Sequence, residues 1–167
     1  MTNYKCLYHI IVFQTEFISF VVNYFDQKMN INDIQNEIIE NFAIFDNKND
    51  TYDYIIELSK NLPPFPEEHK TEANIIKGCQ SKVWVYPVMQ GEKVYFYGDS
   101  DSSLVKGLVS LLISILSEQK PKDIFEADLY FMDKIGLKVL LSMNRANGLA
   151  SMVKQMKLYA LAIESAV

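Results

Sequence analysis

The run Leu62-Pro63-Pro64-Phe65-Pro66 constrains this chain more than any other segment. Each proline lacks a backbone donor and pushes the residue before it towards extended geometry, so no helix can pass through. The run is therefore an extended connector, and the segments on its two sides are separate elements. Before it, Ile34, Ile38, Phe42 and Phe45 are spaced four, four and three apart, which predicts one face of a helix over 32–45. Asn32 or Asp33 is placed to cap its first turn. After the polar break Asn47-Lys48-Asn49-Asp50, the residues Tyr52, Ile55, Ile56 and Ser59 outline a second helix ending near Asn61.

Beyond the connector the pattern changes. Residues 73–77 and 82–86 are short strand-like runs, Gln90-Gly91 is a hairpin turn, and Val94-Tyr95-Phe96-Tyr97 supplies a third strand. Gly98-Asp99-Ser100-Asp101 is expected to stop that strand and to offer helix caps. Leu104, Leu108, Leu111, Leu112 and Ile115 then mark a strongly apolar helix. Pro121 opens a helical turn, residues 129–135 form another, and Asn147-Gly148 precedes a terminal helix carrying Met152, Met156, Tyr159 and Ile163. A helix pair, three short strands and then helices alone predict an α+β fold: a small three-stranded antiparallel sheet covered by helices on one face. With 49% hydrophobic residues in 167, the chain can bury a core of one domain.

The charge balance narrows the partners. A net charge of −5 lacks the basic stripe that nucleic acid requires, and no Lys/Arg cluster suggests an anionic membrane surface. The stretch from Leu7 to Phe25 is apolar but is broken at Gln14-Thr15-Glu16. An acidic residue in mid-membrane costs about 2.5–3.5 kcal/mol, and neither an N-terminal positive cluster nor a small-residue cleavage site is present. We read residues 1–28 as an extension or a start assigned too far upstream, and 29–167 as the domain proper. Cys6 and Cys79 form no disulfide framework and fit a reducing cytoplasm. Two histidines, His9 and His69, and two cysteines do not make up a zinc ligand set, and neither a metal nor another cofactor is expected.

Gly78-Cys79-Gln80-Ser81-Lys82-Val83-Trp84-Val85 sets a thiol at a turn before an apolar strand with the single tryptophan. Physically this segment has two readings. Free cysteine is often a small buried core residue, whereas a thiol beside a glycine at a loop tip can move and reach another protein.

Five blocks in register choose between them. Leu62-Pro63-Pro64, Gly78 to Trp84, Gly98-Asp99-Ser100-Asp101, Val105-Lys106-Gly107-Leu108 and Arg145-Ala146-Asn147-Gly148-Leu149 give the chain its resemblance, over roughly 32–163, to the SufE family of sulfur acceptors. The resemblance implies a SufE/NifU-like fold and a cytoplasmic, non-enzymatic carrier. In it, Cys79 takes persulfide sulfur from a cysteine desulfurase of the SufS or CsdA kind and passes it on to a downstream iron–sulfur scaffold. It also implies that Gly78, Gln80, Ser81, Asp101 and Arg145 shape the loop or the partner contact. Attack on a persulfide needs thiolate, yet a free cysteine with pKa about 8.5 is mostly protonated at neutral pH, and burial raises it further. A sheltered Cys79 that swings outward about Gly78 on docking would reconcile protection with reactivity. Trp84 is expected in the core or lining the pocket that receives Cys79, and Lys106 on an exposed helix face.

Two departures fall on the recognition side: Tyr52-Asp53 where many members have Arg-Tyr, and Ser142-Met143-Asn144-Arg145 in place of Ser-Pro-Ser-Arg. The rival readings are a NifU-like cluster scaffold, which needs several thiolates, a thiol oxidoreductase, which needs a resolving cysteine, and a purely structural activator of the desulfurase.

Overall fold

The structure, a computed structural model, describes residues 29–166. The extension expected over 1–28, with Cys6 and His9, lies outside the described residues. Helix α1 (Ile31–Phe42) buries Ile31, Gln35, Ile38 and Phe42, one face at helical spacing. It ends three residues before Phe45, whose ring instead packs in the turn against Tyr54 at 4.9 Å. Buried Gln35 is satisfied at both ends: its Nε2 donates to the Asp128 carbonyl at 3.0 Å, and its Oε1 accepts from the Phe131 N–H at 3.2 Å. Helix α2 (Lys48–Leu58) starts at Asn47, whose side chain accepts from the Asp50 N–H, and tightens into a 3₁₀ turn at Ser59–Asn61.

A hairpin follows the connector. Strands β1 (Val83–Gln90) and β2 (Lys93–Ser100) pair antiparallel, from Val83 opposite Ser100 to Gln90 opposite Lys93. Val83, Val85, Val94 and Phe96 are buried on one face against helix α3 (Ser103–Leu116), which is buried everywhere except Ser103, Lys106 and Ser114. Two glycines permit this central position. A Cβ on Gly98 would lie 2.5 Å from Val109 Cγ1, and one on Gly107 would lie 1.9 Å from the Ile55 carbonyl oxygen of α2. The second face of the hairpin is covered by the connector, with Phe65 and His69 packed on Tyr86 at 5.4 and 4.1 Å. Tyr86 in turn stacks on Tyr97 at 5.1 Å.

Three expectations need correction. The sheet has two strands, not three, since residues 73–77 make only a 3₁₀ turn (Glu72–Asn74) and one bridge, Ile75 to Trp84. The outer edge of β1 cannot carry a longer partner. Pro87, in register with Val83 and Val85, has no N–H to give, and the Tyr159 hydroxyl already donates to the Val85 carbonyl at 3.5 Å. Strand β2 also runs through Gly98, Asp99 and Ser100, and the cap of α3 is Ser102. Thirdly, the terminal helix begins at Met143, not beyond Gly148. Helices α4 (Pro121–Glu126), α5 (Phe131–Lys134) and α6 (Leu137–Leu140) lead into α7 (Met143–Glu164), which buries Met152, Met156 and Ala160.

Candidate functional site

The loop 77–82 is closed at its base by backbone pairing. The Ile76 N–H donates to the Val83 carbonyl at 2.8 Å. The Lys82 N–H donates to Asp101 Oδ1 at 3.0 Å, and the Asp101 N–H returns a bond to the Lys82 carbonyl at 3.2 Å. Ser100 Oγ adds a further bond to that carbonyl at 2.9 Å. Gly78 holds the left-handed φ of 89°, and a Cβ there would also lie 2.9 Å from Ser151 Oγ, so both conformation and space require glycine.

Cys79 follows this turn and is half-buried against α7. Its Sγ donates to the Gly148 carbonyl at 3.5 Å, and a Cβ on Gly148 would approach the sulfur to 3.3 Å. Burial pushes the Cys79 thiol above its ordinary value. In this resting position the group is a sheltered, protonated thiol.

The sulfur borders a cavity of about 300 Å³. Cys79, Gln80 and Ser81 form one wall, Asp101, Val105 and Leu108 a second, and Asn144, Arg145, Gly148 and Met152 of α7 the third. Five of the six residues singled out in the sequence thus meet at one hollow, and the sixth, Gly78, is the turn beside it. Arg145, the chain's single arginine, is exposed and makes no ion pair among the described residues. Sequence reasoning missed Asn144, Gly148 and Met152 as wall residues. Asn144, Gly148 and Met152 follow one another at four-residue spacing, with Arg145 three before Gly148, and this signal becomes visible only once the helix is started at Met143.

Trp84 and Lys106 are placed differently from expectation. Trp84 does not line the cavity, because it points to the second face of the hairpin, where Lys70 Nζ stands 5.9 Å from its ring centre. Lys106 is not simply solvated: its Nζ pairs with Asp99 at 2.8 Å, and Lys70 approaches the same carboxylate at 3.2 Å. The Asp99 side chain is only 14% exposed. Burial alone would raise its carboxyl, but the bonds from Lys106, Lys70 and the Ser100 backbone outweigh that and hold it below the usual carboxylate range.

Among the described residues no three His, Cys, Asp or Glu side chains are grouped to hold a metal ion, and no helix is long and apolar enough to cross a membrane.

A two-stranded, helix-covered α+β domain that sets a half-buried thiol, the one cysteine among the described residues, beside a glycine turn at a polar hollow of about 300 Å³ defines the class. Comparison with known proteins gives that class its family. Residues 36–160 match the SufE model, described as an Fe–S metabolism associated domain. A SufE-like protein of Rhizobium meliloti is 41% identical over 126 residues, covering 72% of this chain and 90% of that protein. The cysteine desulfuration protein SufE of Wigglesworthia glossinidia brevipalpis is 37% identical over 121 residues, or 71% and 84% of the two chains. In fold, the solution structure of a hypothetical protein from Thermus thermophilus aligns with a TM-score of 0.67 at 21% identity, covering 79% of this chain and 96% of that one. The chain belongs to the SufE family.

Proposed function

We propose that the protein accepts sulfane sulfur on Cys79 from the persulfide of a cysteine desulfurase and delivers it to iron–sulfur cluster assembly in a reducing cytoplasm. The observation that carries this reading is the placement of the sulfur. Cys79 Sγ sits at the wall of the cavity, on a glycine-hinged loop, held by one weak bond to the Gly148 carbonyl. The Cys79 thiolate attacks the outer sulfur of the partner's persulfide, forming a new S–S bond on Cys79. The old S–S bond breaks, and the electron pair leaves with the partner's cysteine as thiolate. No external oxidant or reductant is needed.

Before this step the thiol must lose its proton. Burial opposes that in the resting position, and rotation into the cavity relieves it. There the Arg145 guanidinium favours both the thiolate and the persulfide anion that follows. A partner that binds the swung-out loop preferentially shifts the population towards it. The scaffold reading has no comparable support, because Cys79 is the one cysteine among the described residues. Incubation with a desulfurase and cysteine should add a reductant-cleavable mass of about 32 daltons, one sulfur atom, to the wild type and none to Cys79→Ser, which should fold normally. An adduct that persists in the serine variant would remove Cys79 from the role. A wild type that stimulates the desulfurase yet never gains sulfur would make the protein a structural activator.

A further inference from the structure

We infer that a second hollow, at the base of the Cys79 loop, binds a small amino-acid-derived ligand carrying two carboxylates and one ammonium group, and that the bound ligand holds the loop closed. The inference is independent of the sulfur-acceptor reading. This hollow, of about 500 Å³, shares no lining residue with the thiol's cavity. Its size falls in the range of about 300–1,000 Å³ usual for small-molecule sites. Residues between Glu72 and Lys77 form one wall, and α7 from Ser151 to Tyr159 forms the other.

The charges around the hollow select the ligand. Lys77, Lys154 and Glu72 all border it and are exposed, yet none of the three makes an ion pair among the described residues. Elsewhere on the surface neighbouring charges do join, as Lys60 with Glu57 at 2.6 Å and Lys138 with Asp133 at 2.7 Å. Here two cations and one anion stay out of ion-pair reach around one open space. A carboxylate suits each lysine and an ammonium suits Glu72, so one ligand bridges charges that the chain itself leaves unjoined. Two hydroxyls suit the ammonium as well. Ser151 Oγ donates to the Asn147 carbonyl at 3.0 Å and the Tyr159 hydroxyl to the Val85 carbonyl at 3.5 Å, so each oxygen keeps lone pairs to accept a further bond. Leu158, 44% exposed, offers the ligand's methylene groups an apolar contact. The position of the hollow decides what binding does. Lys77 opens the loop, a Cβ on Gly78 would lie 2.9 Å from Ser151 Oγ, and the Cys79 thiol rests on the Gly148 carbonyl of the same helix. A ligand held between Lys77 and Lys154 therefore ties the start of the loop to the helix that shelters the thiol. It binds the closed loop preferentially and shifts the population towards it.

The test uses the full chain with L-glutamate and S-methylglutathione as probes, since both carry the two carboxylates and the ammonium without a reactive thiol. Calorimetry should show saturable binding of at least one probe, weakening as salt is raised. Binding of glutamate would make the ligand a free acidic amino acid, and binding of S-methylglutathione alone would make it a short peptide. Lys77→Glu and Lys154→Glu should each weaken binding by about tenfold or more, because an attraction becomes a repulsion. Lys82→Glu, the same change of charge in the same loop but away from the hollow, should leave binding as it is. At saturating ligand, alkylation of Cys79 by a bulky maleimide should slow several-fold in the wild type and keep its ligand-free rate in Lys154→Glu. No binding of either probe at millimolar concentration, binding indifferent to both lysine variants, or equal weakening by Lys82→Glu would overturn the site. Saturable binding that leaves alkylation unaltered would overturn the hold on the loop. None of these measurements involves a desulfurase, so their failure leaves sulfur acceptance at Cys79 standing.

Discussion

Two regions leave the same end of the hairpin and are held in opposite ways. Asp99, near the end of β2, is gripped by Lys106 of α3 and by Lys70, which follows the connector, and is little exposed and drawn to its ionised form. Two residues on, Asp101 is exposed and holds the Cys79 loop through the Lys82 N–H, with the Asp101 and Ser100 bonds to the Lys82 carbonyl beside it. The first region joins three segments through ion pairs on a little-exposed carboxylate. The second rests on a few exposed hydrogen bonds and one weak thiol contact, and segments held that way open at low free-energy cost. Under the proposed sulfur transfer, this anchoring would keep the domain and the cavity assembled while the Cys79 loop changes position.

The contrast breaks most severely at the frame itself. Gly107→Ala would drive a methyl group into the Ile55 carbonyl. Overpacking at a backbone contact between two central helices should cost about 3 kcal/mol or more, read as a large drop in the urea midpoint. A fully folded alanine variant of wild-type stability would show that α2 and α3 are not held at this distance.

A smaller loss is expected from Asp99→Asn, about 1–2 kcal/mol at neutral pH, limited because both lysines can turn to water. Its sign with pH is fixed. A carboxyl held below its ordinary value contributes stability above the unfolded-state value, and that contribution fades as pH falls through the lower folded-state value. The stability gap between wild type and Asp99→Asn should therefore be full at pH 7 and close in acid. A gap independent of pH would place the effect elsewhere than in the ion pairs.

The smallest stability change, about 0.5–1 kcal/mol, is expected from Asp101→Ala, which removes one exposed side-chain bond. Its effect on the thiol should be larger than its effect on the fold. Alkylation of Cys79 by a bulky maleimide should be slow in the wild type, rise with pH around a midpoint above that of an ordinary thiol, and accelerate several-fold in Asp101→Ala. Wild-type alkylation as fast as in an unfolded control would mean the loop is already open, and the comparison between anchored and movable regions would fail.

Local chemistry made part of this molecule legible in the sequence. The prolines of 62–66 mark the connector, apolar spacing marks α1, α2 and α3, and the glycine–cysteine turn with its companion blocks marks the loop and the family. These features depend on backbone dihedrals and on near neighbours, so a linear reading reaches them. Three glycine and strand assignments needed the folded chain. Gly98 resembles a strand stop but is the place where β2 yields to Val109, and Gly148 resembles a helix boundary but lies inside α7. A missing side chain signals a turn and a close approach in the same way, and only the neighbour across the gap distinguishes them. Residues 73–77 have strand character, yet pairing requires an edge able to donate, and Pro87 with Tyr159 deny it. The site divides along the same line. Which residue carries the sulfur chemistry is proposed from the sequence. That Cys79 lies beside Arg145 and Asp101, its thiol lodged against Gly148, was decided by the packing of α7 on the hairpin end. Cys79 and Gly148 stand 69 positions apart in the chain, and only tertiary contact offsets the entropy of bringing such distant residues together.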